Sequence, residues 1–173
     1  MDKNYFIFVA NDIFLLDRKV SVIDIKDELL KNGFWGFGET VPLKNKLRIE
    51  DEVLIYLAGD KRREFVAAAT IQTGIQPILK GSKEDEVFSK LGIAFLKEKV
   101  ALKNVRMFER KVKIIHLLEK LQFVRDKKNY GLHLRLSIVR ICHEDFNLIL
   151  SQSMLTGTLL NADLKAVRAI IRN

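Results

Sequence analysis

The sequence predicts an α+β fold built as a small mixed barrel, and three observations lead there. The chain has 173 residues, 48% of them hydrophobic, enough to bury one core and too few for two sizeable ones. About seven short runs of β-branched and aromatic residues are mixed with a few short helical ones, without the regular strand–helix alternation of a doubly wound sheet. No internal repeat or low-complexity tract accompanies them.

YFIFVA, from Tyr5, is continuously apolar and stops at Asn11-Asp12. It is expected to be a buried strand near the barrel axis, ended by turn formers. In SVIDIKDELLKNG, Ser21 offers a helix cap, Val22, Ile25, Leu29 and Leu30 share one stripe, and Gly33 suits the position just past a helix end. Phe34-Trp35 follows as a helix-to-strand connection. GFGETVPLKNKL, with Gly36, Gly38 and Pro42 among charges, reads as a loop. DEVLIYLAG and REFVAAATIQTG read as an antiparallel hairpin around Gly59-Asp60-Lys61. IQPILKGSKEDEVFSKLG is a polar excursion with a short helix near Val87, and AFLKEKVALKNVRMF a long basic strand. Lys111 to Leu121 has helical spacing, with Val112, Ile115, Leu118 and Leu121 on one face. RLSIVRIC is a further strand, HEDFNLIL a short helix, and Asn161 to Ile171 a last amphipathic helix.

Between Lys97 and Lys128 there are 11 Lys/Arg against 4 Asp/Glu, a net of +7, so nearly all of the formal charge of +8 is local. Such a segment is the footprint expected where a phosphate backbone is neutralised; the plainer reading is a solvated basic face. No apolar run is long enough for a membrane span, and MDKNYFIFVAND does not read as a signal peptide. A cytoplasmic protein without membrane contact is expected. The single cysteine, Cys142, excludes an internal disulfide and a CxxC zinc knuckle, and its apolar flanks suit a packed strand.

Three blocks carry a family likeness: YFIFVAND, FWGFGETVPLKNKLRIEDEVLIYLAG, and KVKIIHLLEKLQFVRDKKNYGLHLRLSIVRICHEDFNLI. In order and spacing they resemble the EVE domain, a PUA-like fold related to the YTH readers of methylated bases. The likeness covers most of residues 4 to 150. It implies a PUA-like β-pseudobarrel over 1–150 flanked by short helices, with 151–173 as a helical extension or linker to a further domain. It also implies non-catalytic recognition of a modified, methylated base flipped into an aromatic pocket. DNA is favoured over RNA, and the setting is a modification-dependent restriction system with a fused or associated nuclease or motor. Where EVE relatives carry Trp, this chain has Phe6 and Tyr130; where they have a Gly-rich turn, it has Leu136-Ser137.

By this resemblance Trp35, which follows the first helix, stands where the methyl-adenine cage has a wall, and Asn11 and Asp12 where the base edge is read. Phe6, Gly36, Phe37, Tyr130 and His133 complete the expected pocket. A substitute for the second cage Trp is expected between Ile71 and Phe95. Each assignment has a plainer alternative. Trp35 and Phe37 also suit a core, Asn11-Asp12 is a common turn signal, and His133 also suits a hydrogen-bonded barrel histidine. Lys61, Arg62, Arg63, Arg106, Arg110, Lys111, Lys113, Arg125, Lys127 and Lys128 are the expected phosphate contacts.

No cofactor or metal is expected, because His116, His133 and His143 lie on different elements without ligand spacing. Glu144-Asp145 beside His143 reads as the first turn of a helix, where acids are favoured. The strongest enzymatic alternative is a PUA-like amidohydrolase of modified nucleosides, with Glu39, Thr40 and Lys44 as the one local cluster. A third class is a module that binds an acidic partner or RNA by charge alone.

Overall fold

The computed structural model describes residues 3–59 and 62–153. Strand β1 (Tyr5–Ala10) enters first, and a small hairpin follows, β2 (Ile13–Phe14) with β3 (Lys19–Val20). Helix α1 (Val22–Lys31) is capped by Ser21, whose hydroxyl accepts from the Ile23 N–H at 3.2 Å. It buries the expected stripe of Val22, Ile25, Leu29 and Leu30 and stops at Asn32 before Gly33, whose φ of +71° is left-handed.

Strand β4 (Phe34–Phe37) takes Trp35, Gly36 and Phe37 into the sheet, which corrects the loop expected from Gly36 onward. The antiparallel partner that fixes it is β8 (Glu98–Lys113), with Trp35 opposite Val100. Strands β5 (Glu52–Leu57) and β6 (Glu64–Ile71) form the expected antiparallel hairpin. After β7 (Gln76–Pro77) comes α2 (Lys83–Leu91), which has Ser82 at its N-cap, three acids in its first turn and Gly92 as its left-handed C-cap.

Strand β8 (Glu98–Lys113) is the expected long basic strand. Its first part pairs with β4 and β7, its remainder with β6. Asn104, at φ +51°, sits where the β6 register first slips, the mark of a bulge that bends the strand. The sheet order β4-β8-β6-β5-β1-β9, ending at β9 (Ile138–Ile141), curls into a half-barrel of the expected α+β class. Residues 143–153 form a third helix, α3.

The helix expected over Lys111 to Leu121 is replaced by the end of β8 and a 3-10 turn, Ile114–His116. Here period two wins over period 3.6. Val112 and Ile114 are buried, whereas Ile115, which a helix would have faced inward, is 56% exposed.

The continuous apolar run of β1 reflects covered faces on both sides. Phe6, Phe8 and Ala10 face a core shared with α1, α2 and β4, while Ile7 and Val9 face a second core with Tyr56, Phe65, Leu117, Leu121 and α3. Asp145, in the first turn of α3, is buried and accepts from the Gln122 and Phe123 N–H groups at 2.8 Å each, tying the helix to the second core. Burial raises the pKa of the Cys142 thiol just before this helix. The boundary expected at 150–151 falls within α3, and the helix expected over Asn161 to Ile171 lies outside the described residues, as does Lys61. No helix among the described residues is long and apolar enough to cross a membrane.

Candidate nucleic-acid interface

Two clefts open at the carboxyl end of β1, and Asn11, the residue after that strand, lines both. The first is apolar, about 230 Å³, and is bordered by Trp35, Phe37, Phe95, Ile13, Val41 and Ser137. That is below the roughly 300 Å³ at which drug-sized pockets begin, a space on the scale of one base. The second, about 510 Å³, is lined by Arg63, Lys128, Asn129, Tyr130 and Arg135 with Tyr56 and Gly59.

Strand geometry sorts the aromatics of the apolar cleft. Trp35 and Phe37 project from the same side of β4 and meet Phe8, at 6.0 Å with planes 30° apart and at 5.1 Å edge-on respectively. Trp35 is a core residue, 4% exposed, that also borders the apolar cleft. Phe95, 52% exposed, supplies an open aromatic surface at this cleft, and it stands at the end of the interval in which a second wall is expected. Gly36 borders the cleft, but its missing side chain serves packing. A Cβ there would come within 2.4 Å of the Phe88 ring of α2.

Four expected pocket residues lie elsewhere or act differently. Phe6 is fully buried in the core and lines neither cleft, because its position on β1 faces inward with Phe8. Asp12 turns away from both clefts. Its carboxylate accepts from the Val22 N–H at 2.8 Å and pairs with Lys19 at 2.6 Å and Arg62 at 3.1 Å. The Lys19 bond first, then the Val22 N–H, hold its pKa down at about 2. His133 accepts through Nε2 from the Asp126 N–H at 3.1 Å and borders neither cleft. Tyr130 lines the basic cleft instead of the apolar one, its hydroxyl accepting from Arg63 Nη1 at 2.9 Å.

The loop beneath the basic cleft is held from within. Asp126 accepts from the Lys128 and Asn129 N–H groups at 3.1 and 3.0 Å and from the Asn129 side chain at 2.9 Å. The Asn129 side-chain bond is the main cause of its lowered pKa. Burial raises the pKa of the Tyr56 phenol in the same cleft wall. Arg63, at φ +49°, is held in the left-handed region that a non-glycine residue adopts at a cost of about 1–3 kcal/mol, and its guanidinium lies 5.7 Å from the Tyr130 ring centre.

The expected phosphate contacts divide in the same way. Arg63 and Lys128 reach the basic cleft, and Arg135 joins them. Arg62 is engaged by Asp12, and Lys111 by Glu64 at 3.0 Å. Lys127 points inward and donates to the Leu118 and Leu121 carbonyls at 2.6 and 2.7 Å. Arg106, Arg110, Lys113 and Arg125 are exposed but border neither cleft. The basic segment thus scatters over the surface because β8 is extended and bulged. Sequence reasoning misses Arg135, whose one signal is a position just beyond Tyr130, while Ser137, singled out with Leu136 in the sequence, borders the apolar cleft. Of the one local enzymatic cluster, Lys44 is buried against Glu98 and the Gly38 and Glu39 carbonyls, while Glu39 and Thr40 are exposed and line neither cleft. The three do not converge on the cleft.

The family model described as the EVE domain matches residues 12–152. Among solved structures, human THYN1 in complex with DNA containing 5-methylcytosine has a TM-score of 0.58 at 16% identity, over 87% of this chain and 98% of that one. The protein Atu2648 from Agrobacterium tumefaciens has a TM-score of 0.55 at 15% identity, over 87% and 92%. The YTH domain of Zygosaccharomyces rouxii MRB1, in complex with N6-methyladenosine RNA, has 0.52 at 14%, over 87% and 86%. At these identities the likeness is one of fold. No curated protein matches the chain.

Proposed function

Since the chain belongs to the EVE domain family, we propose that it is a non-catalytic reader that holds one modified base of a nucleic acid in its apolar cleft. The observation that carries this reading is the meeting of the two clefts at Asn11. One is apolar, aromatic and of single-base size; the other gathers Arg63, Lys128 and Arg135. A base taken out of its stack loses pairing and stacking energy, which aromatic contact and edge hydrogen bonds offset. Trp35, Phe37 and Phe95 supply the first, and Asn11, a donor and acceptor in one side chain, the second. The basic cleft then grips the adjoining phosphates, which position the strand without specifying it.

Two relatives by fold support the choice of ligand: the THYN1 structure contains 5-methylcytosine DNA and the YTH structure N6-methyladenosine RNA. DNA is the favoured strand in this reading, and a fused or associated nuclease or motor its effector. The test is a panel of matched DNA and RNA oligonucleotides carrying no modification, one 5-methylcytosine or one N6-methyladenine. Preference for a modified member is expected; equal affinity across the panel would leave a charge-only binder.

A further inference from the structure

The β2–β3 hairpin leaves Asn11 and returns at Ser21. Its register, Ile13 opposite Val20 and Phe14 opposite Lys19, places Val20 in the main core and Ile13 against it, with Phe14 outward. A 2.8 Å bond from the Leu15 N–H to the Arg18 carbonyl closes the tip. There Phe14 is 77% exposed and Leu16 fully so, at 110%. Large apolar side chains left this exposed gain nothing from the fold that carries them.

The mounting of this tip is specific. The Lys19 ammonium stands 5.4 Å from the Phe14 ring centre and pairs with Asp12 at 2.6 Å; the same carboxylate holds Arg62 and the α1 N-terminus. Ile13, beside Phe14, lines the apolar cleft, and Asn11, beside Asp12, lines both clefts. The exposed ring is thus carried on the outward side of a hairpin whose inner side, at Ile13, borders the apolar cleft, with the Lys19 ammonium beside it.

We propose that this hairpin is a wedge for duplex nucleic acid, its Phe14 and Leu16 entering the stack vacated when a base is drawn into the apolar cleft. The proposal rests on the base-reading function. A base leaving a duplex exposes the faces of its neighbours and orphans its partner, and an apolar side chain in the gap restores contact with both. Lys19 and Arg62 share the single Asp12 carboxylate, so the base of the hairpin keeps a net positive charge to meet a phosphate. In a single strand no such gap exists, and the hairpin has nothing to fill.

That difference supplies the test. Wild type and the double variant Phe14→Ser, Leu16→Ser are titrated with strands carrying one 5-methylcytosine or one N6-methyladenine, each single-stranded and as duplex, with 2-aminopurine beside the modified base. The variant is expected to lose about tenfold or more in duplex affinity, together with the 2-aminopurine signal of unstacking. Its single-strand affinity stays within about twofold, and Phe14→Leu retains duplex binding. Equal loss on both substrates, no loss on the duplex, or a change only in self-association would overturn the wedge. Wild type without preference for either modified single strand would instead remove the base-reading function, and the wedge with it.

Discussion

Phe8 stacks on Trp35 with ring centroids 6.0 Å apart and planes inclined by 30°, so one side of the indole is already engaged by the core before any ligand arrives. Trp35 is the chain's one tryptophan, which makes its emission a direct report on the apolar cleft. Titration with an oligonucleotide carrying the preferred modified base is expected to quench or shift that emission, whereas the unmodified strand leaves it unchanged. Loss of this base wall in Trp35→Ala is expected to cost about 1–3 kcal/mol of modified-strand affinity. It also costs about 3–5 kcal/mol of fold stability, so melting curves accompany the titration. Trp35→Phe keeps an aromatic body in the core and separates the two effects.

Replacing Arg63, Lys128 and Arg135 together with Ala should weaken modified and unmodified strands alike. The slope of log affinity against log salt should flatten by about 0.7–0.9 for each phosphate that the protein no longer neutralises. Lys127→Ala, whose ammonium serves two main-chain carbonyls, should lower the melting temperature and leave that slope alone. The salt series on both proteins checks the division.

Asp12 makes a prediction about acid. Its folded-state pKa of about 2 lies below the ordinary aspartate value of 3.8, so it binds a proton more weakly folded than unfolded. Its contribution to stability is therefore complete above about pH 4 and is lost as pH falls from there through 2. Asp12→Asn should melt earlier than wild type at pH 7, and the gap should close across that window. A gap of constant size from pH 7 to pH 2 would show that the carboxylate charge is immaterial.

Gly36→Ala sets a new Cβ within 2.4 Å of the Phe88 ring, itself buried in the main core. Overpacking of this kind costs about 1–3 kcal/mol. The expected result is a less stable protein whose ratio of modified to unmodified affinity is unchanged, read by urea denaturation beside the oligonucleotide panel.

Much of the architecture is legible in local patterns. The stripe of α1, its Ser21 cap, the Gly33 stop, the β5–β6 hairpin and the length of β8 each carry a periodicity or a terminator that acts within a few residues. The failures are of two kinds. Lys111 to Leu121 fits periods of 2 and 3.6 about equally well, and pairing of Val112 with Phe65 on β6 decides between them. For the site, charge density along the chain is a poor guide to charge density in space. The segment from Lys97 to Lys128 spreads over the extended β8 and the turns after it, and of its cations only Lys128 lines the basic cleft, beside Arg63 and Arg135 from outside the segment. The position of Trp35 after a helix points to it, but its burial depends on Phe8 and Val100, which only the sheet brings to it.

Strand β1 is the earliest element of the fold, yet it hydrogen-bonds to residues 52–57 on one side and 138–141 on the other. During synthesis its second edge stays open until nearly all of the described residues have left the ribosome. That edge belongs to YFIFVA, a run with the apolar, charge-free character that recruits strands from other chains. Closing it requires a loop of more than a hundred residues, a slow, non-local step. A chain ending anywhere before Ile138 is thus expected to be not a smaller domain but one with an open, aggregation-prone edge.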